Sequence, residues 1–210
     1  LEHIKTYNAM TRSTPKGKLV IEGPIPKERL ETYDFHEDLT AFRPAKEQFK
    51  ALKGIAELPE GRIIIARDDH TVIGYVTYLY PDPLERWSEG HNPYLIELGA
   101  IEVALEFRKY KVGKGLLNVS MMDPFMENYI IITTEYYWHW DLKGTGLSVW
   151  DYRKIMEKTM QAGGLEVFAT DDPEICSHPA NCLMVRIGRH VPKEAIENFD
   201  HLRFKNKYMY

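Results

Sequence analysis

Apolar and β-branched residues come in short runs separated by polar turns, and the period inside each run changes along the chain. Residues 18–22 read as a short strand closed by Gly23-Pro24, and Pro26 can open a helix because proline is tolerated in a first turn. Across 45–58, Phe49, Leu52, Ile55, Ala56 and Leu58 follow a helical period that Pro59-Glu60-Gly61 stops. Two β-rich runs, 62–67 and 72–80, flank the polar turn Asp68-Asp69-His70, which predicts an antiparallel hairpin. Pro81, Asp82 and Pro83 end the second run, and a loop or very short helix is expected through Asn92-Pro93.

The middle of the chain alternates. A strand is predicted from Leu95 to Val103, then a helix on the face formed by Val112, Leu116, Leu117 and Val119, then a strand over 129–134. An aromatic segment, 135–141, precedes a helix over about 149–160, which Gly163-Gly164 stops before the strand-like residues 165–169. This order predicts an α/β class. A last helix is expected over 195–204 after Pro192, and the aromatic end Tyr208-Met209-Tyr210 is expected to pack. Neither a repeat nor a persuasive linker interrupts the chain, so one domain over 1–210 is expected, with N-terminal elements 18–58 and a C-terminal extension 171–210.

Composition narrows the function. A chain of 210 residues, 44% hydrophobic, can bury a sizeable core. Its 27 Lys and Arg against 31 Asp and Glu give a formal charge of −4, so no electrostatic reason for binding nucleic acid or anionic lipid exists, and an anionic ligand needs a local feature. No run approaches the roughly 18 apolar residues of a membrane span, and Arg12, Lys16, Lys18, Glu22 and Pro24 interrupt the start. Two cysteines are too few for a disulfide framework, and reduced thiols fit the cytoplasm, the expected compartment.

The local feature lies between the strand ending at Val103 and the helix starting near Val112. A glycine-containing turn that runs into a helix N-terminus exposes unpaired amides, the means by which a pyrophosphate is cradled, and Arg108, Lys109, Lys111 and Lys114 add positive charge. It is not a Walker loop, because Gly113-Lys114 is followed by Gly115 rather than Ser or Thr, and it is not a dinucleotide fingerprint. From the residues alone, anion binding and a plain turn with solvated lysines both stay open.

The run Glu97-Leu98-Gly99-Ala100-Ile101-Glu102-Val103, with Arg108 five residues further and then Gly113, resembles the acetyl-CoA motif of the GNAT superfamily of N-acetyltransferases. In that family the motif is Arg or Gln, two residues, Gly, one residue, Gly or Ala; Arg108 and Gly113 match its ends, while Lys111 stands where glycine is usual. The resemblance implies an acyl-CoA N-acyltransferase fold, a mixed and mostly antiparallel central sheet flanked by helices, with a core of about 62–168. It also implies acetyl-CoA as cosubstrate, with Val103 meeting the pantetheine and Arg108, Lys109, Lys111, Val112, Gly113, Lys114 and Gly115 around the diphosphate, and the strand over 129–134 as neighbour of the Glu97 strand. The segments 38–44, 78–87, 134–141 and 170–182 are similar, over nearly the whole chain, to a family of bacillus acetoin-utilisation acetyltransferases. That resemblance implies a protein lysine acetyltransferase whose partner is acetyl-CoA synthetase, an enzyme it would down-regulate.

Amide formation needs a neutral amine, and a free lysine has a pKa near 10.4, so a base or a water chain must take a proton. Glu97, six residues before Val103, matches the position of the general-base glutamate in lysine acetyltransferases of this superfamily. Strand alternation places Glu97 with Gly99, Ile101 and Val103, and Glu102 with Leu98 and Ala100. Glu97 as a mere strand start, and Glu102 as the base, are the alternatives. The superfamily's tyrosine acid is not carried over, since Thr159 and Met160 occupy the usual place, and Tyr152, one to two turns earlier, is the substitute. Glu135, Tyr136, Tyr137, Trp138 and His139 are candidates for acceptor contact, or for core and interface packing. Cys176, His178 and Cys182 lack a fourth ligand at zinc-finger spacing, so no metal is expected. A small-amine acetyltransferase and a non-catalytic coenzyme-A sensor are the competing functions, the latter motivated by Lys111 and the missing tyrosine.

Overall fold

A computed structural model describes the backbone of residues 1–208. Met209, Tyr210 and the side chain of Tyr208 lie outside the described residues, and with them the expected packing of the aromatic end. The chain divides into two compact units, 1–80 with 98–126, and 81–97 with 127–210.

In the first unit, strands β1 (Asn8–Thr14), β2 (Gly17–Gly23), β4 (Arg62–Asp68) and β5 (Thr71–Leu79) form successive antiparallel pairs, with β6 (Leu95–Val103) next in order. The short α1 (Lys27–Leu30) and β3 (Asp34–Phe35) follow β2, and β3 pairs in parallel with β5. The hairpin of β4 and β5 follows the apolar runs that predict it, and α2 (Ala45–Glu57) ends beside Pro59 as its pattern requires. Strand β1 has no apolar alternation to announce it: every side chain is exposed or half-buried, and its ladder to β2 is what makes it a strand. Helix α3 (Val112–Ser120) buries Val112, Leu116, Leu117 and Val119 and packs on β2, β4 and β5. Full burial of a Val or Leu side chain is worth about 1.5–3 kcal/mol, so this face fixes where α3 begins.

In the second unit the order is β6, β7 (Ile130–Glu135), β9 (Cys182–Ile187), β8 (Glu166–Phe168). β6 and β7 run parallel, and β7–β9 and β9–β8 run antiparallel. Short α4 (Leu142–Thr145) and α5 (Val149–Gln161) follow β7, and α6 (Pro173–Cys176) and α7 (Lys193–Arg203) add Ile175, Ala195 and Phe199 to a core of Trp87, Leu95, Ile130, Ile132, Leu183 and Val185. The hydrophobic pattern did not single out β9, although Cys182-Leu183-Met184-Val185 is a continuous buried run of the kind a strand covered on both faces carries. It pairs on one side with β7 and on the other with β8, between two strands that precede it in the chain.

Candidate active site

After β6 the chain does not make a glycine turn. Residues Leu105–Tyr110 form a 3-10 helix, Lys111 takes the left-handed conformation (φ 57°, ψ 32°), and α3 begins at Val112. Gly113 and Gly115 lie inside the first turns of α3. The correction has a physical reason: the reversal needs one left-handed residue, and Lys111 supplies it at a cost of about 1–2 kcal/mol. Gly115 serves packing instead, since a Cβ there would stand 2.5 Å from Ile21 Cδ1 on β2. A right-handed residue followed by a left-handed one turns successive N–H groups to one side, a concavity that suits an anion. No side chain caps α3, so its first amides add to that concavity. Arg108 Nε donates to the Val103 carbonyl at 3.0 Å, the Lys109 ammonium lies 5.5 Å from the Tyr110 ring centre, Lys111 is exposed and Lys114 half-buried. Glu106, the acid of this segment, is engaged by Lys16 and by His36 Nε2. The donor set, backbone amides with Arg and Lys side chains, fits a diphosphate.

Glu97 stands where a ladder opens. β6 and β7 are in register at Leu95↔Ile130, Ile96↔Ile131 and Glu97↔Ile132, and their pairing ends there, while β6 continues for six more residues to Val103. At about 3.3 Å per residue that is roughly 20 Å of strand. Glu97, Gly99, Ile101 and Val103 share a face on which Gly99 is exposed and the other three are half-buried, whereas Leu98 and Glu102 on the other face are fully buried. Burial pushes the Glu97 carboxyl up to about 8, Glu85, Asp82 and Glu135 push in the same direction, and a hydrogen bond with Thr134 opposes them. Thr134 also hydrogen-bonds Tyr136, whose phenol is raised by burial first and then by Glu174. Asp82, Glu85 and Thr134 were not among the expected site residues. Only the β6–β7 register, which puts Thr134 two residues beyond Glu97's partner on the same face, could have found the last of them.

Glu102 is spent elsewhere. Its two carboxylate oxygens accept from the Ala41 amide at 2.8 Å and the Tyr75 hydroxyl at 2.7 Å, tying the loop before α2 to the sheet.

Residues Tyr137–His139 form a 3-10 turn after β7. Tyr136 stacks on Trp138 with ring centres 4.9 Å apart, and Tyr137 lies 4.2 Å from His178. Trp138 is 45% exposed. Glu135 accepts from Trp140 Nε1 at 3.2 Å and from Thr133, and its carboxyl is raised by burial. Trp140 in turn stacks on Tyr152 of α5, with ring centres 5.1 Å apart. Thus Glu97 and Tyr136 are brought together through Thr134, and Glu135 and Tyr152 through Trp140. Cys176, His178 and Cys182 line a shallow depression of ≈ 310 Å³, and burial raises the Cys182 thiol to about 12. Among the described residues, no three His, Cys, Asp or Glu side chains are grouped to hold a metal ion. Nor is any described helix long and apolar enough to cross a membrane.

The fold is that of the GNAT acetyltransferases. A GNAT-family acetyltransferase from Streptococcus pneumoniae superposes with a TM-score of 0.50 over 81% of this chain and 99% of its own, at 12% identity, a likeness of fold alone. Much closer is the crystal structure of an acetoin utilization protein from Exiguobacterium sibiricum 255-15, with a TM-score of 0.96, 62% identity, and coverage of 99% of this chain and 98% of that one. The acetoin utilization protein AcuA of Bacillus licheniformis is 68% identical over 210 residues, the whole length of both. The chain therefore belongs to the AcuA family of acetoin utilization proteins. No family model matches it.

Proposed function

We propose that this chain acetylates the side-chain amine of a lysine on a protein, with Glu97 as general base. One observation carries the reading: a carboxyl raised to about 8 stands where the β6–β7 ladder ends, on the strand that leads into the anion-binding turn. A base with a pKa near the working pH is both available in its ionised form and strong enough to take a proton. The amides of the turn and Arg108, Lys109, Lys111 and Lys114 hold the diphosphate, and the β6 edge freed beyond Glu97 receives the pantetheine as far as Val103. Bound acetyl-CoA supplies the thioester.

Glu97 removes the proton from the acceptor ammonium, directly or through one water. The amine nitrogen then forms the amide bond and gives up its second proton as the carbon–sulfur bond breaks, and the sulfur leaves as a thiolate that takes up a proton in exchange. Tyr152 is the tyrosine that chain position suggests for that protonation; Tyr136, which shares Thr134 with Glu97, is the one that hydrogen bonding suggests. Separate Tyr136→Phe and Tyr152→Phe variants decide between them. Glu135 and the ring of residues 136–139 form the acceptor side, where Asp82, Glu85 and Glu174 favour an approaching cation. The acceptor is acetyl-CoA synthetase in the cytoplasm, a choice that rests on family resemblance and on the acetoin utilization named for the relatives.

The test is site-resolved mass spectrometry of purified acetyl-CoA synthetase after incubation with acetyl-CoA and either the native chain or Glu97→Gln, against a no-enzyme control. Labelling of a defined lysine by the native chain alone is the expected result. No labelling, with acetyl-CoA binding intact, would remove this acceptor and favour a small amine or a sensing role.

A further inference from the structure

Resting on the reading that acetyl-CoA sits on the turn after β6, we propose that Arg12 is a positioning residue for the cosubstrate. It lies on β1, about a hundred residues from the turn it serves. Its guanidinium Nη1 donates to the carbonyl of Tyr110 at 3.3 Å and to the carbonyl of Lys111. The same nitrogen would stand 3.3 Å from a Cβ at Gly115, so the guanidinium rests against the first turns of α3.

Peptide planarity gives this grip its consequence. In a trans peptide the C=O and the following N–H point in opposite directions. Holding the carbonyls of Tyr110 and Lys111 toward Arg12 therefore aims the amides of Lys111 and Val112 away from it. Those two amides belong to the concavity made by a 3-10 residue followed by left-handed Lys111. Lysine in that conformation is strained where glycine would not be. A cation whose one nitrogen is shared between the two carbonyls both offsets the strain and removes the negative ends of the two peptide dipoles from the anion's surroundings. Lys16, at the turn of the same hairpin, engages Glu106 and lies 5.3 Å from the Phe107 ring centre, so the hairpin holds the 3-10 segment at both ends. The hairpin thus does for this turn what glycine does where the superfamily motif is intact. Arg12 need not touch the cosubstrate to do so.

The experiment is calorimetric titration of acetyl-CoA, with steady-state kinetics, on the native chain, Arg12→Met, Lys111→Gly and the double variant. Methionine keeps the aliphatic stem, and far-UV circular dichroism checks folding. Arg12→Met should weaken acetyl-CoA binding and raise its KM about tenfold, the scale of one lost charge-assisted hydrogen bond, with kcat changed less than about twofold. Lys111→Gly should restore most of that loss in the Arg12→Met background, because glycine holds the left-handed conformation unaided. Unchanged affinity in a folded Arg12→Met chain overturns the proposal. So does a double variant as weak as Arg12→Met, which would mean that Arg12 meets the ligand itself or acts only on global stability. Failure of the native chain to bind acetyl-CoA would instead sink the functional reading on which the proposal rests.

Discussion

Glu97 carries opposite consequences for rate and for stability. As a base it must be ionised, so kcat/KM for the amine should rise with pH through about 8, the value to which burial raises its carboxyl. Glu97→Gln should lose that limb and lower kcat by roughly 10²–10⁴-fold, the usual worth of a positioned base, with acetyl-CoA affinity kept. A pH profile of single-turnover acetylation checks this, and a variant that keeps both the limb and the rate would exclude Glu97 as the base. For stability the sign reverses. Because the folded-state pKa is raised, the folded chain binds more protons than the unfolded one between about 4.5 and 8, and stability falls as pH rises across that window. Glu97→Gln should therefore melt higher than the native chain at pH 9, by at least about 2–4 °C, the shift that ~1 kcal/mol produces at this chain length. The gap should close near pH 4. Stability given up for a poised carboxyl is what a functional site is expected to show.

The element that decides the site is β6 with the turn behind it. Its boundaries, Leu95 to Val103, were legible because the run is apolar on one face and interrupted on the other. The turn was not, because conformation there comes from Lys111, a residue type that avoids left-handed backbone, and from carbonyl partners on a strand about a hundred residues away. Packing of α3 on β2 depends on a missing side chain. Gly115→Val should overpack against Ile21 and cost about 1–3 kcal/mol in urea unfolding, with loss of acetyl-CoA affinity because α3 must lift. If Gly115→Val were as stable as the native chain, the close approach of α3 to β2 would not be a constraint. Glu102 marks the limit of sequence reading on the same strand. Parity set it apart from Glu97, but only the Tyr75 and Ala41 contacts show it anchoring a loop. Glu102→Ala should destabilise the chain without removing the pH limb.

At the scale of the molecule, we propose that the two compact units unfold together as one domain, since β6 runs through both. All four tryptophans, Trp87, Trp138, Trp140 and Trp150, lie in the second unit, so fluorescence reports on it while far-UV dichroism reports on both. The buried pair of Arg62 and Asp123 belongs to the first unit. Asp123→Ala takes the carboxylate away from a buried guanidinium and should cost about 3–5 kcal/mol. One shared transition predicts an equal shift by both probes, and separate transitions predict a shift in dichroism alone. The sequence by itself determined the order of strands and helices through the middle of the chain, the break at Pro59, and a carboxylate six residues upstream of a basic turn, because these follow from local periodicity and spacing. Tertiary structure decided the rest: that β1 is a strand, that β9 enters between β7 and β8, that the ladder opens at Glu97, and that Thr134 joins Glu97 to Tyr136. Each of these depends on pairing between residues distant in the chain, and no local pattern encodes it.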